Sequence, residues 1–346
     1  MTPDFVNPAA HEVEVAIERQ LPGRMTISAT YLLTRGLHLP ASYDSNVAPS
    51  TQTKSYDVLS SGVTAAPTAL TATVPFYTAR LDLGTGLILN QASVLNSWYN
   101  GLVLTLKRPM SHDVELLFNY TYSKALDDGE TAGTNGTFFG TDGVLDPYNF
   151  KGDYSYSDLD QRHRFVGSVI WEPTYAKGLS SAFARQLLGG WSLSSIVVAA
   201  TGQPYNSMIA TFTPSAGIAG DGGMTGAEVS TFAGPTGGRV SWLARNSHNL
   251  PNIANVDFRM GRSYSFKEKY RLNFVVDAFN LFNHTIVSGV NTTAYSYAAP
   301  TTIGTGPCLN HPNACLVPSA SFGTRSTTSS PLAGPRQLQF GARFSF

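Results

Sequence analysis

The last eleven residues, RQLQFGARFSF from Arg336 to Phe346, alternate without a break. Leu338, Phe340, Ala342, Phe344 and Phe346 share one parity, and Gln337, Gln339, Gly341, Arg343 and Ser345 share the other. A β-strand sends these two sets to opposite faces, so the chain finishes on a strand with one greasy and one polar side. A soluble sheet over a core could use such a strand, and so could a membrane barrel. The rest of the chain has to decide between them.

The pattern recurs. HEVEVAIERQ sets Val13, Val15 and Ile17 against Glu12, Glu14 and Glu18, and after Leu21-Pro22-Gly23 the segment RMTISATYLL sets Met25, Ile27, Ala29 and Tyr31 against Thr26, Ser28 and Thr30. Two such runs around a tight turn predict a hairpin. A second hairpin follows around PMSHD, with Leu102, Leu104 and Leu106 before it and Val114, Leu116, Phe118, Tyr120 and Tyr122 after it. HRFVGSVIW and GWSLSSIVVAA are mixed in parity, with Phe165, Val169, Trp171, Trp191, Leu193 and Val197 as the outer set. NVDFRMGR and YRLNFVVDAFNLF restore the alternation through Val256, Phe258, Met260, Leu272, Phe274, Val276 and Ala278. The count is about nine strands of roughly ten residues, near the length that crosses a bilayer at a tilt.

Composition bounds the class. The chain has 346 residues, 42% hydrophobic and only 13% charged, with Lys plus Arg equal to Asp plus Glu at 23 each. Zero formal charge gives no argument for a nucleic-acid partner. Apolar runs such as Ile196 to Ala200 are far shorter than the roughly 20 residues of a transmembrane helix. The opening MTPDFVNP carries neither a basic region nor an apolar region of a signal peptide, so the expectation is an internal protein or a fragment.

Connection lengths decide. Short turns at Leu21 to Gly23, Pro109 to Asp113, Glu172 to Leu188 and Ser263 to Lys269 alternate with long segments at Pro40 to Asn96, Asp127 to Gln161, Thr201 to Pro251 and Asn283 to Pro335. Loops beyond about 15 residues are uncommon in compact soluble domains. Short turns on one side and long loops on the other mark an all-β, antiparallel outer-membrane barrel, its apolar face toward lipid. Tyr31, Trp98, Tyr120, Tyr122, Trp171, Trp191, Phe344 and Phe346 then fall on the outer face as headgroup-level girdles.

Signals for chemistry are weak. His11-Glu12 opens like a zinc-protease motif, but Val15 stands where the second histidine belongs. The glycines of AGIAGDGGMTG join no strand to a helix, so they read as loop rather than phosphate cradle. Asp146, Asp153, Asp158 and Asp160, beside Arg162, His163 and Arg164, offer oxygens to calcium; the favoured reading is a charged extracellular rim of Asp and Arg side chains bonded across loop ends. Asp257, Arg259, Arg271, Asn273, Asp277, Gln337 and Arg343 share the polar parity and are expected to line a wet lumen in cross-strand pairs. Cys308 and Cys315, seven apart in GPCLNHPNACLVP, suit a small disulfide in a loose extracellular loop; a metal site with His311, or free thiols, are the alternatives. No catalytic residue and no cofactor emerges.

Together, EVEVAIERQLPGRMTISATYLLTRGLHL, YNGLVLTLKRPMSHDVELLFNYTYSKALDD, DLDQRHRFVGSVIWEPT, LLGGWSLSSIVVAATGQPYN, RLNFVVDAFNLFNH and GPRQLQFGARFSF resemble the C-terminal part of Oar-like TonB-dependent outer-membrane receptors, over almost the whole of residues 1–346. The resemblance implies a barrel of about 22 strands. It also implies an N-terminal plug that contacts TonB, often preceded by a carboxypeptidase-regulatory-like domain. Plug, signal and earlier strands are missing from this chain. It implies further that Phe346, with Phe344 and Phe340, is read by the barrel assembly machinery, and that the loops take an unknown extracellular ligand. An odd strand number points to an open, curved sheet rather than a sealed barrel. The competing expectation is a soluble or secreted all-β carbohydrate-binding module.

Overall fold

A computed structural model describes residues 2–76, 79–85, 88–129, 146, 148–210, 239–240, 242–266, 270–327 and 334–346. Nine strands form an antiparallel wall in which each pairs with the next in sequence. They are β1 (Ala9–Leu21), β2 (Met25–Asp44), β3 (Leu89–Ser111), β4 (Val114–Asp127), β5 (His163–Trp171), β6 (Trp191–Ala200), β7 (Ile253–Phe266), β8 (Tyr270–Phe279) and β9 (Gln337–Ser345). The outer edges of β1 and β9 carry no ladder partner among the described residues.

The register joins the separate parities into two continuous faces. One row runs Ile17, Ala29, Leu104, Tyr120, Phe165, Ala199, Ala254. Another runs Val114, Trp171, Leu193, Met260, Val276, Phe340. A one-residue slip anywhere would have turned one strand's apolar set to the other side. The mixed parity of β5 and β6 has a local cause: Gly167 and Ser195 stand on the apolar face. A Cβ at Gly167 would lie 2.7 Å from the Phe118 ring, so the aromatic pair Phe118 and Phe165 covers that spot.

The turns at one end are tight. Gly23 has φ 78° and Arg24 φ 62° between β1 and β2. Between β3 and β4 the turn is only His112 and Asp113, at φ 50° and 67°, both positive as a type I′ turn demands. It is shorter than the five residues expected from PMSHD, because pairing persists to Ser111 and Val114. Asp113 also accepts from the Thr174 amide at 2.8 Å, tying this turn to the one after β5. Of the turn after β7, residues 267–269 lie outside the described set.

Two expectations need correction. The strands run from 9 to 23 residues rather than about ten, and β2 and β3 continue past Pro40 and Asn96 as a ribbon on the long-loop side. Pro40 survives inside β2 because the pairing is already broken there by a bulge, with His38 at φ 56°. The long segments are also not loose. Met208–Ile209, Thr293–Ala298, Ala314–Pro318, Gln52–Leu59 and Thr68–Phe76 form a five-stranded sheet in that order, with two parallel pairings. Its core buries Tyr56, Val58, Val74, Val240 and Leu316, flanked by Trp242, Tyr295 and Tyr297. Among the described residues the largest hydrophobic cluster sits in this cap, not in the wall.

Candidate functional site

The polar face of the wall gathers the charges expected there. The register sets Arg259 opposite Asp277, Asn273 opposite Arg343, and Arg271 opposite Ser345. Arg259 forms a two-point ion pair with Asp277, Nε to Oδ1 at 2.5 Å and Nη2 to Oδ2 at 3.1 Å. The Arg259 side chain is 60% exposed, so the pair is wet and stabilises by no more than about 1 kcal/mol. Asp257 takes the Asn280 amide at 2.8 Å and the Asn255 side-chain amide at 3.0 Å. Asp257, Arg259, Asp277 and Ser194 border a hollow of about 250 Å³. Gln337 stands opposite Phe279 at the start of β9.

Where wall meets cap, the polar groups are buried instead. Asp127, Asp128, Asp153, Asp160, Arg245 and Asn246 are all buried. Arg245 contacts Asp127 directly, stands 3.5 Å from Asp158, and its Nε donates to the Asp153 carbonyl at 3.2 Å. Asp153 also pairs with Arg239, and Asp160 with Arg162 at 3.3 Å. Asp160 further accepts from the Ala125 amide at 2.7 Å, and Asn246 donates to the Tyr156 carbonyl at 2.8 Å. Burial pushes the Arg245 pKa down to about 10, which leaves it charged at neutral pH. This cluster is the expected charged rim, but its central cation comes from the segment read as a loose loop. Asp153, Asp158 and Asp160 are engaged by arginines and amides. Asp146 accepts from the Tyr148 amide at 2.8 Å. His163 sits instead on the apolar parity, its ring nitrogen 2.8 Å from the Tyr120 hydroxyl.

The cysteines are bonded, Cys308 to Cys315 with the Cα atoms 5.6 Å apart. Contrary to expectation their loop is firmly held: both sulfurs are buried with Leu59 and Ala66. His311 turns away from them. Its Nε2 donates to the Ala66 carbonyl at 2.9 Å, while Nδ1 faces Asp57 Oδ2 and the Thr68 hydroxyl, each at 3.2 Å. Asp57 also accepts from Asn313 and Thr71, at 3.1 Å each. Burial raises the Asp57 pKa, but the bonds from Asn313, Thr71 and His311 outweigh it and hold the carboxyl below its usual range. Acid and hydroxyl converge on one ring nitrogen, whereas a nucleophile relay needs them on two. The arrangement braces the loop.

One cap feature carried no signal in the sequence. Tyr205, His248 and Phe322, from three separate segments, meet with ring centroids 5.1 to 6.1 Å apart. AGIAGDGGMTG, Ala216 to Gly226, lies outside the described residues. Among the described residues no helix is long and apolar enough to cross a membrane, which says nothing of strands.

The profile of the outer membrane beta barrel domain family matches residues 1–339. No curated protein matches the chain. Among solved structures, the outer membrane transporter YddB from Escherichia coli aligns with a TM-score of 0.43 and 9% identity, over 88% of this chain and 31% of the transporter. The chain therefore spans about a third of that protein's length.

Proposed function

The chain belongs to the outer membrane beta barrel domain family, and from that premise we propose that it supplies wall and cap to a TonB-dependent receptor of the Oar-like kind, which captures an extracellular ligand for energy-coupled uptake. The chain performs no catalysis in this reading. The observation that carries it is the ordered cap: long loops that only sealed the barrel would not need a buried core, an ion-pair hub and a disulfide. The cap, with its Tyr205, His248 and Phe322 cluster, is the ligand-facing surface, and Arg259, Asp277, Arg271, Arg343 and Asp257 line the passage below. The free edges of β1 and β9 support a wall completed by further strands, because lipid tolerates no unpaired backbone. TonB would act through a plug domain, and Phe346, Phe344 and Phe340 would be the aromatic mark for the assembly machinery.

The test is the intact mass of the mature protein, captured from outer membranes by an antibody raised against the cap. A product far above 37.1 kDa that contains a plug supports the reading. A 37.1 kDa product in which β1 cross-links to β9 in a sealed ring overturns it.

A further inference from the structure

Two outward rows of the wall end on cations. Along β2 the lipid-facing set runs Met25, Ile27, Ala29, Tyr31, Leu33 and then Arg35; along β4 it runs Val114, Leu116, Phe118, Tyr120, Tyr122 and then Lys124. The register keeps both sets on one face, because Tyr31 stands opposite Leu102 and Leu102 opposite Tyr122. Each row starts at a short turn, and ten positions separate Met25 from Arg35 and Val114 from Lys124. At about 3.4 Å per residue and a tilt near 40°, each rises roughly 26 Å, which matches an apolar band of about 25 Å. Arg35 and Lys124 therefore stand at headgroup level on the long-loop side.

β3 runs between these two strands and brings their charges toward one place. Arg35 stands opposite Trp98, and Lys124 opposite Asn100 on the next outward position of β3. The Arg35 guanidinium reaches toward that second row, 3.4 Å from the Asn100 side-chain oxygen, which also accepts from the Tyr31 hydroxyl at 3.1 Å. Its further contacts are the carbonyls of Thr34 and Tyr99, which hold the charge without neutralising it. On the other side of Asn100, Lys124 and Arg162 share the exposed ring of Tyr156, their charged ends 5.6 and 5.3 Å from its centroid. Asp160 pairs with Arg162, but among the described residues no carboxylate pairs with Arg35 or Lys124. Like charges gathered in this way repel until an anion joins them. Toward the bilayer centre from Asn100, Leu102 and Leu104 are exposed on the same face of β3.

We propose that Arg35, Lys124 and Arg162 bind the phosphate headgroup of an anionic lipid in the leaflet on the long-loop side. Its acyl chains lie along Leu102 and Leu104. The site rests on membership of the outer membrane family alone and is independent of the ligand the cap takes.

Native mass spectrometry of the protein in mild detergent tests this, with phosphatidic acid as the probe and diacylglycerol of the same chains as its uncharged counterpart. The parent should retain phosphatidic acid and lose diacylglycerol. Each cation near a headgroup strengthens lipid binding about fivefold, so Lys124→Gln should weaken retention by that factor and Lys124→Gln with Arg35→Gln on the order of 30-fold. Arg162 stays in place because Asp160 depends on it. Arg19→Gln with Arg108→Gln removes the same charge from the same face near the short-turn end, opposite Ile27 and Leu116, and should retain lipid like the parent. Heat-modifiable gel mobility equal to the parent's shows that a variant is folded. Parental retention by the Lys124 variants overturns the site, and so does equal loss in the two double variants, which makes net charge the cause. Displacement of the lipid by millimolar inorganic phosphate assigns the cations to a free anion and overturns the lipid occupant.

Discussion

Wall and cap use the same apolar residues in opposite ways. In the wall, Ile17 is 72% and Phe340 74% exposed; in the cap, Tyr56 and Leu316 are fully buried. The cap follows the rule for water, gathering side chains into a core at about 1.5 to 3 kcal/mol each. The wall leaves its side chains outward because hydrocarbon replaces the core, and it spends its polar residues on the other face. The cations divide the same way: the Arg259 side chain is 60% exposed beside Asp277 on the wall, while Arg245 is buried against Asp127 at the junction. One chain therefore contains two folding problems with two solvents. Damage to one should leave the other standing.

Arg245→Ala should break that division most sharply. It strands Asp127 and Asp158 without their buried cation, and breaking a buried pair costs about 3 to 5 kcal/mol. Limited proteolysis should cut the cap, while the heat-modifiable mobility of the wall persists. Loss of both together would show that cap and wall are one cooperative unit.

Arginine at Val15, Leu104 or Phe274 tests the wall from its other side. All three lie on the apolar face, and the cost is up to about 2 to 4 kcal/mol at mid-bilayer depth, falling toward the interfaces. Ile196→Arg is the control, since Ile196 pairs with Asp257 on the polar face and the change should be nearly neutral in lipid. If the three outward variants insert into liposomes as stably as the Ile196 variant, the face assignment is wrong.

Reducing Cys308 and Cys315 should be felt only in the cap. Closing so short a loop stabilises by about 2 kcal/mol, and the sulfurs pack against Leu59 and Ala66 rather than any wall strand. Thiol labelling of intact cells should therefore require reductant, and urea unfolding of the wall should not shift after reduction.

The smallest effect is acidic. Asp57 has its folded pKa below 3.8, so its stabilisation is complete above 3.8 and is lost as pH falls through the lower folded value. Protease resistance of the cap should decline below about pH 3.8 in the parent, with a flatter profile in Asp57→Asn. Identical profiles would remove Asp57 from the account.

The wall was legible because a strand with one apolar face writes a period of two into the sequence, as RQLQFGARFSF does. Nine strands and both faces follow from that, and β5 and β6 blurred where Gly167 and Ser195 occupy the apolar face and Val166, Ile170, Ile196 and Val198 the polar one. The family match leaves the soluble carbohydrate-binding alternative without support. The cap was illegible because its pairings are remote: Tyr56 pairs with Ala314, and Pro204 with Asn249 across a long insertion. Several of its strands are only two to six residues long, too short for a period to be read. Arg245 was missed for the same reason, since nothing near LARNSHN in the sequence announces that Asp127 lies against it.

The ribbon formed by β2 and β3 has a consequence at the scale of the cell surface. At about 3.4 Å per residue, the 23 residues of β3 extend roughly 75 Å. An apolar band of about 25 Å, crossed at a tilt near 40°, uses less than half of that length. The remainder stands beyond the lipid as a stem on which Phe150 packs against Ala41 and Leu95, so the segment joining β2 to β3 starts well above the headgroups.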